Sequence, residues 1–110
     1  METTTLGPFE AQARAAAGLL KAMSNECRLL VLCHLAESGE LSVGQLVERV
    51  GLSQSALSQH LAKLREEGLV ATRKDAQTVF YRVCDPKAST LLALLHDLFC
   101  PKLGRERPAE

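Results

Sequence analysis

Charge of one sign is missing from this sequence, in which 13 Lys and Arg balance 13 Asp and Glu. A chain without net charge does not hold nucleic acid by bulk attraction, as histone-like and polybasic proteins do. Long apolar runs are missing too. No stretch approaches the roughly 18 residues of a membrane span. Met1 to Phe9 lacks the basic-then-apolar layout of a secretory leader. Aromatic residues make up only 4%. There is no Cys-x-x-Cys, no glycine-rich phosphate loop and no assembled Ser-His-Asp layout. With no pocket-forming insertion either, these absences exclude an enzyme and point to no cofactor.

The residues present fit one domain. A chain of 110 residues is about one core's worth, and 46% hydrophobic with 24% charged residues is ordinary globular usage. The expectation is a soluble cytoplasmic protein. Four cysteines in such a setting read first as thiols, whether catalytic, metal-binding or sensing, before they read as a static disulfide framework.

The zero net charge hides a distribution. Residues 1–52 carry a net of −2 and residues 83–110 balance, whereas Lys63, Arg65, Arg73, Lys74 and Arg82 leave residues 53–82 at +2. Local patterns give the element order. Residues 1–8 read as a flexible lead-in and the Ala-rich 9–22 as a first helix. Ser24 is the expected N-cap of a second helix, which is apolar nearly all round and therefore central to a core. Ser42 with Gln45 three residues on is a capping-box pattern opening a short helix that stops at Gly51. Ser53 caps the next helix, where Leu57, Leu61 and Leu64 form one apolar stripe up to Gly68. Two β-rich runs, LVATRK and TVFYRV, flank Asp75-Ala76-Gln77 and predict a hairpin. Asp85-Pro86 restarts a helix that Pro101 ends. The fold class is mainly α with a β-hairpin. Its folded part covers 9–101, and 102–110 is a flexible tail.

From Ser42 to Gly68 the pattern is a helix-turn-helix. Six of the eight residues from Ser53 to His60 are polar, namely Ser53, Gln54, Ser55, Ser58, Gln59 and His60. Gln and Ser both donate and accept hydrogen bonds, as base edges require, and a recognition helix enters the major groove by its N-terminal end. Helix N–H groups freed there can hold a phosphate. Lys63 follows one turn later. Arg73, Lys74 and Gln77, at or near the hairpin tip, have the reach of a wing to flanking phosphates or the minor groove. A solvated helix rich in Ser and Gln is the bland alternative, which the adjoining hairpin disfavours.

The segments KAMSNECRLLVLCHL and ELSVGQLVERVGLSQSALSQHLAKLREEGLVATRKDAQTVFYRV resemble the ArsR/SmtB family of bacterial winged helix-turn-helix repressors. The resemblance spans roughly residues 15–100 and is nearest to the thiol-based BigR/SqrR/HlyU-like group, which responds to reactive sulfur species or oxidants. It implies a homodimer built from the first and last helices and bound to a pseudo-palindromic DNA operator. Leu19, Leu20, Leu91, Leu94, Leu95 and Leu98 on those helices are more apolar surface than a small monomer readily covers. Two recognition helices about 34 Å apart would then meet successive major grooves.

The resemblance also implies that Cys33 and Cys100 face one another within a protomer, as the sensing pair that oxidant joins in a disulfide or sulfane sulfur in a polysulfide. Taken alone, Cys33 reads rather as a small buried hydrophobe, whereas Cys100, beside Pro101 at a helix end, fits a place in the core less well. Cys27, in the first turn of the second helix beside Arg28, is a rival reactive thiol, and Cys84 reads as structural. Neither metal-site pattern of the family transfers. The short helix SVGQLVERV holds no Cys, His or Asp, and the last helix offers only His96 and Asp97. A zinc set of Cys33, His96 and Cys100 is chemically conceivable. A metal-responsive repressor and an HlyU-like anti-silencing activator are therefore the competing readings, with a protein-interaction adaptor behind them.

Overall fold

The structure, a computed structural model, describes residues 7–100. Most of the expected lead-in, together with Pro101 and the tail 102–110, lies outside the described residues. Five helices and a small sheet follow the expected order: α1 (Gly7–Met23), α2 (Glu26–Ser38), β1 (Leu41–Ser42), α3 (Val43–Val50), α4 (Gln54–Glu66), β2 (Val70–Asp75), β3 (Thr78–Val83) and α5 (Pro86–Phe99). This is a winged helix-turn-helix, and α1 starts two residues before the expected Phe9.

The helix ends form for local reasons, with one correction. Asn25, not Ser24, caps α2, its side chain accepting the Arg28 N–H at 3.0 Å. The Ser24 hydroxyl donates instead to the Lys21 carbonyl at 3.1 Å, so it closes α1 and is spent. The capping box of α3 is complete. Ser42 Oγ accepts the Gln45 N–H at 3.2 Å, and Gln45 Oε1 accepts the Ser42 N–H at 2.9 Å. Asp85 caps α5 with Pro86 in the first turn, as expected.

The sheet holds a strand that the sequence reading lacks. The two-residue β1 pairs with β3 through Leu41 opposite Tyr81 and Ser42 opposite Phe80, giving the antiparallel order β1-β3-β2. Asp75 pairs with Thr78, so the turn is only Ala76-Gln77. Ala76 sits at φ 58°, which costs a side-chain-bearing residue about 1–2 kcal/mol.

The core is one cluster. Leu32 and Leu35 of α2, Leu46 of α3, and Leu57, Leu61 and Leu64 of α4 are all at most 1% exposed. They pack with Leu41, Leu69 and Val70 of the sheet region and Ala88 and Leu92 of α5. Helix α2 touches α3, α4, α5 and β3, the central place its all-round apolar sequence predicts. Among the described residues the exposed large apolar side chains are Phe9, Leu20, Leu30, Leu94, Leu98 and Phe99, 41% to 78% exposed, on α1, α2 and α5. Of the six leucines named as surplus, Leu20, Leu94 and Leu98 are exposed, whereas Leu19, Leu91 and Leu95 are half-buried. Among the described residues no helix is long and apolar enough to cross a membrane.

Candidate nucleic-acid interface and thiol pair

Helix α4 is set by its two faces. Gly51, at φ 82°, adopts the left-handed conformation that ends α3 and turns the chain. Ser53 Oγ then accepts the Ala56 N–H at 3.1 Å and starts α4. Leu57, Leu61 and Leu64 dock α4 on the core. That anchorage leaves Gln54, Ser55, Ser58 and Gln59 exposed on the outer side, with Ser53 exposed just before them. His60 is half-buried and stands apart from those five. No acidic residue occupies the first turn, so the positive end of the helix is left for an anion.

The cations expected at the interface differ in their freedom. Lys63 Nζ lies 3.7 Å from Glu67 and 3.9 Å from Glu66, so acids of its own helix end screen it. Lys74 and Gln77 are exposed, next to the turn and in it. Arg73 is exposed as well but bonded. Its guanidinium donates to both carboxylate oxygens of Glu40, at 2.7 and 2.9 Å. Glu40 is the residue that sequence reading missed. It lies 33 positions away, just before the unforeseen β1, and no local pattern signals the contact.

The four cysteines are free thiols. Cys33 is exposed on α2, so it is not the buried hydrophobe its residue type also suggests, and the half-buried Cys100 is the C-cap of α5, its N–H donating to the His96 carbonyl at 2.7 Å. Helices α2 and α5 pack on one another. The Cys33 thiol is pushed up from its ordinary value, first by partial burial, then by charge on Cys100, then by Glu37. The two cysteines are thus within electrostatic reach. Cys27 is half-buried on the first turn of α2. Cys84 Sγ donates to the Gly68 carbonyl at 3.4 Å, a contact that ties the end of β3 to the turn after α4. Among the described residues no three His, Cys, Asp or Glu side chains gather as a metal-holding group, so Cys33, His96 and Cys100 do not form one.

Known proteins share this fold. Residues 25–72 match the family described as bacterial regulatory protein, arsR family. The chain is 55% identical over 95 residues to the transcriptional activator HlyU of Vibrio cholerae, covering 86% of this chain and 87% of that one. The solved structure of reduced HlyU from Vibrio cholerae superposes with a TM-score of 0.81 at 55% identity, over 84% of this chain and 97% of that one. The transcriptional repressor BigR from Xylella fastidiosa superposes with a TM-score of 0.78 at 42% identity, over 86% and 95% of the two chains.

Proposed function

This chain belongs to the arsR family of bacterial transcriptional regulators, a DNA-binding family, and we propose that it works in the cytoplasm as a homodimeric repressor whose operator binding is switched by a Cys33–Cys100 bridge. In this reading α4 enters the major groove, with Ser53, Gln54, Ser55, Ser58, Gln59 and His60 toward base edges and the adjoining phosphates. Lys63, Lys74 and Gln77 serve the flanking backbone, and Arg73 joins them on the operator once Glu40 releases it. The uncovered apolar residues of α1, α2 and α5 form the seam between the protomers.

One observation carries the switch: α5 packs on α2, and charge on Cys100 raises the Cys33 thiol. That the 55%-identical HlyU of Vibrio cholerae is known in a reduced form supports redox state as the variable. With peroxide as oxidant, the two thiols lose two electrons and two protons, the disulfide forms, and peroxide leaves as two waters. With a persulfide donor, each thiol first takes one sulfane sulfur and releases the donor thiol. The two resulting persulfides then condense to a trisulfide and expel hydrogen sulfide. A trisulfide tolerates a wider separation than the Cα span of about 4.4–6.8 Å that suits a disulfide.

The magnitudes permit the coupling. A ten- to hundredfold loss of operator affinity needs about 1.4–2.8 kcal/mol. Closing a loop of this length covalently is worth about 4 kcal/mol in the chain-entropy model. Only the share that differs between the two DNA-binding states counts. Because α5 belongs to the proposed seam, drawing it toward α2 changes how the two α4 helices are spaced.

The relative named an activator and the one named a repressor leave a second reading, in which the bound protein relieves silencing by another factor. A gel shift on DNA upstream of its own gene, run with reduced, persulfide-treated and zinc-treated protein, tests the proposal. Retention of DNA by the reduced and zinc-treated forms and its release by the persulfide-treated form are expected. Release by zinc alone would make the protein a metal sensor. Mass spectrometry of persulfide- and peroxide-treated protein should show different bridges, and identical disulfides from both would remove the preference for sulfane sulfur.

A further inference from the structure

Arg73 is the wing arginine expected at flanking phosphates, and its guanidinium is already engaged. Nε donates to Glu40 Oε2 at 2.7 Å and Nη2 to Glu40 Oε1 at 2.9 Å, a two-point fork. Asp75 lies 3.9 Å from Nη1. The guanidinium carbon stands 4.7 Å from the centroid of the Phe80 ring.

The register explains how residues on opposite edges of the sheet meet. Phe80 pairs with Arg73 on one side and with Ser42 on the other. The Arg73 side chain therefore crosses β3 above Phe80 to reach Glu40, which sits just before β1. Alternation places Glu40, Arg73, Asp75, Phe80 and Arg82 on one face of the sheet. Leu41, Val70, Tyr81 and Val83 take the other face and join the core. On the outer face the charges of Glu40 and Asp75 cancel those of Arg73 and Arg82. The fork holds the Glu40 carboxyl below the usual carboxylate range, so Glu40 stays an anion at neutral pH. Both side chains remain partly exposed, at 49% for Arg73 and 30% for Glu40, so solvent and a phosphate can reach the pair.

A carboxylate and a phosphate compete for the same guanidinium fork. We infer that Glu40 is an internal stand-in for a DNA phosphate. It occupies Arg73 in the free protein and so lowers the affinity of the wing for DNA of arbitrary sequence. This rests on the DNA-binding reading above and makes Glu40 a specificity-determining residue. Non-specific affinity is the electrostatic component of binding, whereas base readout by α4 is a separate set of contacts. Neutralising a wing cation trims the first and spares the second.

The test is a salt series of binding titrations on a random-sequence duplex with wild type, Glu40→Gln, Arg73→Gln and the double variant. Glu40→Gln should bind several-fold tighter at low salt. Its plot of log affinity against log salt should steepen by about 0.9 for each wing that gains a phosphate. Arg73→Gln alone should change the wild-type slope little, and the double variant should return to the Arg73→Gln slope. An unchanged slope in Glu40→Gln would overturn the inference. So would a steepening that persists without Arg73, because that reports mere loss of an acid. Glu40→Asp keeps the charge but shortens the reach, and should steepen the slope part of the way. Should Glu40→Gln fail to melt cooperatively, a wild-type slope for Glu40→Asp would decide against the inference. Wild type without affinity for any duplex would overturn the DNA-binding reading instead.

Discussion

The reading head and the thiol pair are built on different length scales. In the head, Ser42 caps with Gln45, Ser53 caps with Ala56, and Leu57, Leu61 and Leu64 repeat within one helix. Each of those relations closes within about two turns of chain. The proposed thiol pair spans α2 and the end of α5 across 67 positions, and only tertiary packing could bring it together. A short-range device folds to one geometry and holds it. A long-range one depends on how α5 lies, and that is the element a switch needs to move.

The largest expected effect strikes what both regions share. Leu57→Ala empties a fully buried site beneath α4 and should cost about 2–5 kcal/mol in a denaturant melt. It should weaken operator binding through loss of folded protein, and a stability unchanged within 1 kcal/mol would mean that α4 is not anchored there. Next come substitutions confined to the head. Ser55→Ala and Gln59→Ala should each weaken operator binding by about 1–3 kcal/mol while sparing random DNA. Equal losses on both DNAs would make these residues phosphate contacts and erase the division of roles between α4 and the wing.

The smallest effect is in the titration of Cys33. Burial, Cys100 and Glu37 raise Cys33, so its thiolate, the reactive form, grows in only as pH climbs past the usual thiol range. Site-resolved alkylation should show that climb. Because Cys100 supplies part of the rise, Cys100→Ser should lower the Cys33 midpoint, and an unmoved midpoint would separate the two thiols. The folded protein holds the Cys33 proton more tightly than the unfolded chain does. Its contribution to stability is therefore full below the ordinary thiol value and is lost as pH rises through the raised one.

Legibility in the sequence follows the same length scales. The order of helices and hairpin, the caps Ser42, Ser53 and Asp85, and the buried leucine stripe of α4 all rest on spacing within a few residues, and all are found. Asn25 displaces Ser24 as the α2 cap because two neighbouring residues both suit the role and the Ser24 hydroxyl is used by α1. The strand β1 escapes notice because two residues carry no period and Ser42 already reads as a cap. Glu40 and Arg73 meet through that strand, so their fork is equally invisible. Cys33 and Cys100 are paired in the sequence by family resemblance alone, and the influence of Cys100 on the Cys33 thiol follows from the packing of α5 on α2.

Operator affinity measured before and after persulfide treatment, for wild type and Cys33→Ser side by side, tests the switch most directly. Both reduced proteins should bind alike. Treatment should weaken wild type ten- to hundredfold, with a Cys33–Cys100 bridge in its mass spectrum, and leave Cys33→Ser unchanged. Equal weakening of the two proteins, or a bridged wild type that binds as tightly as the reduced one, would contradict the account.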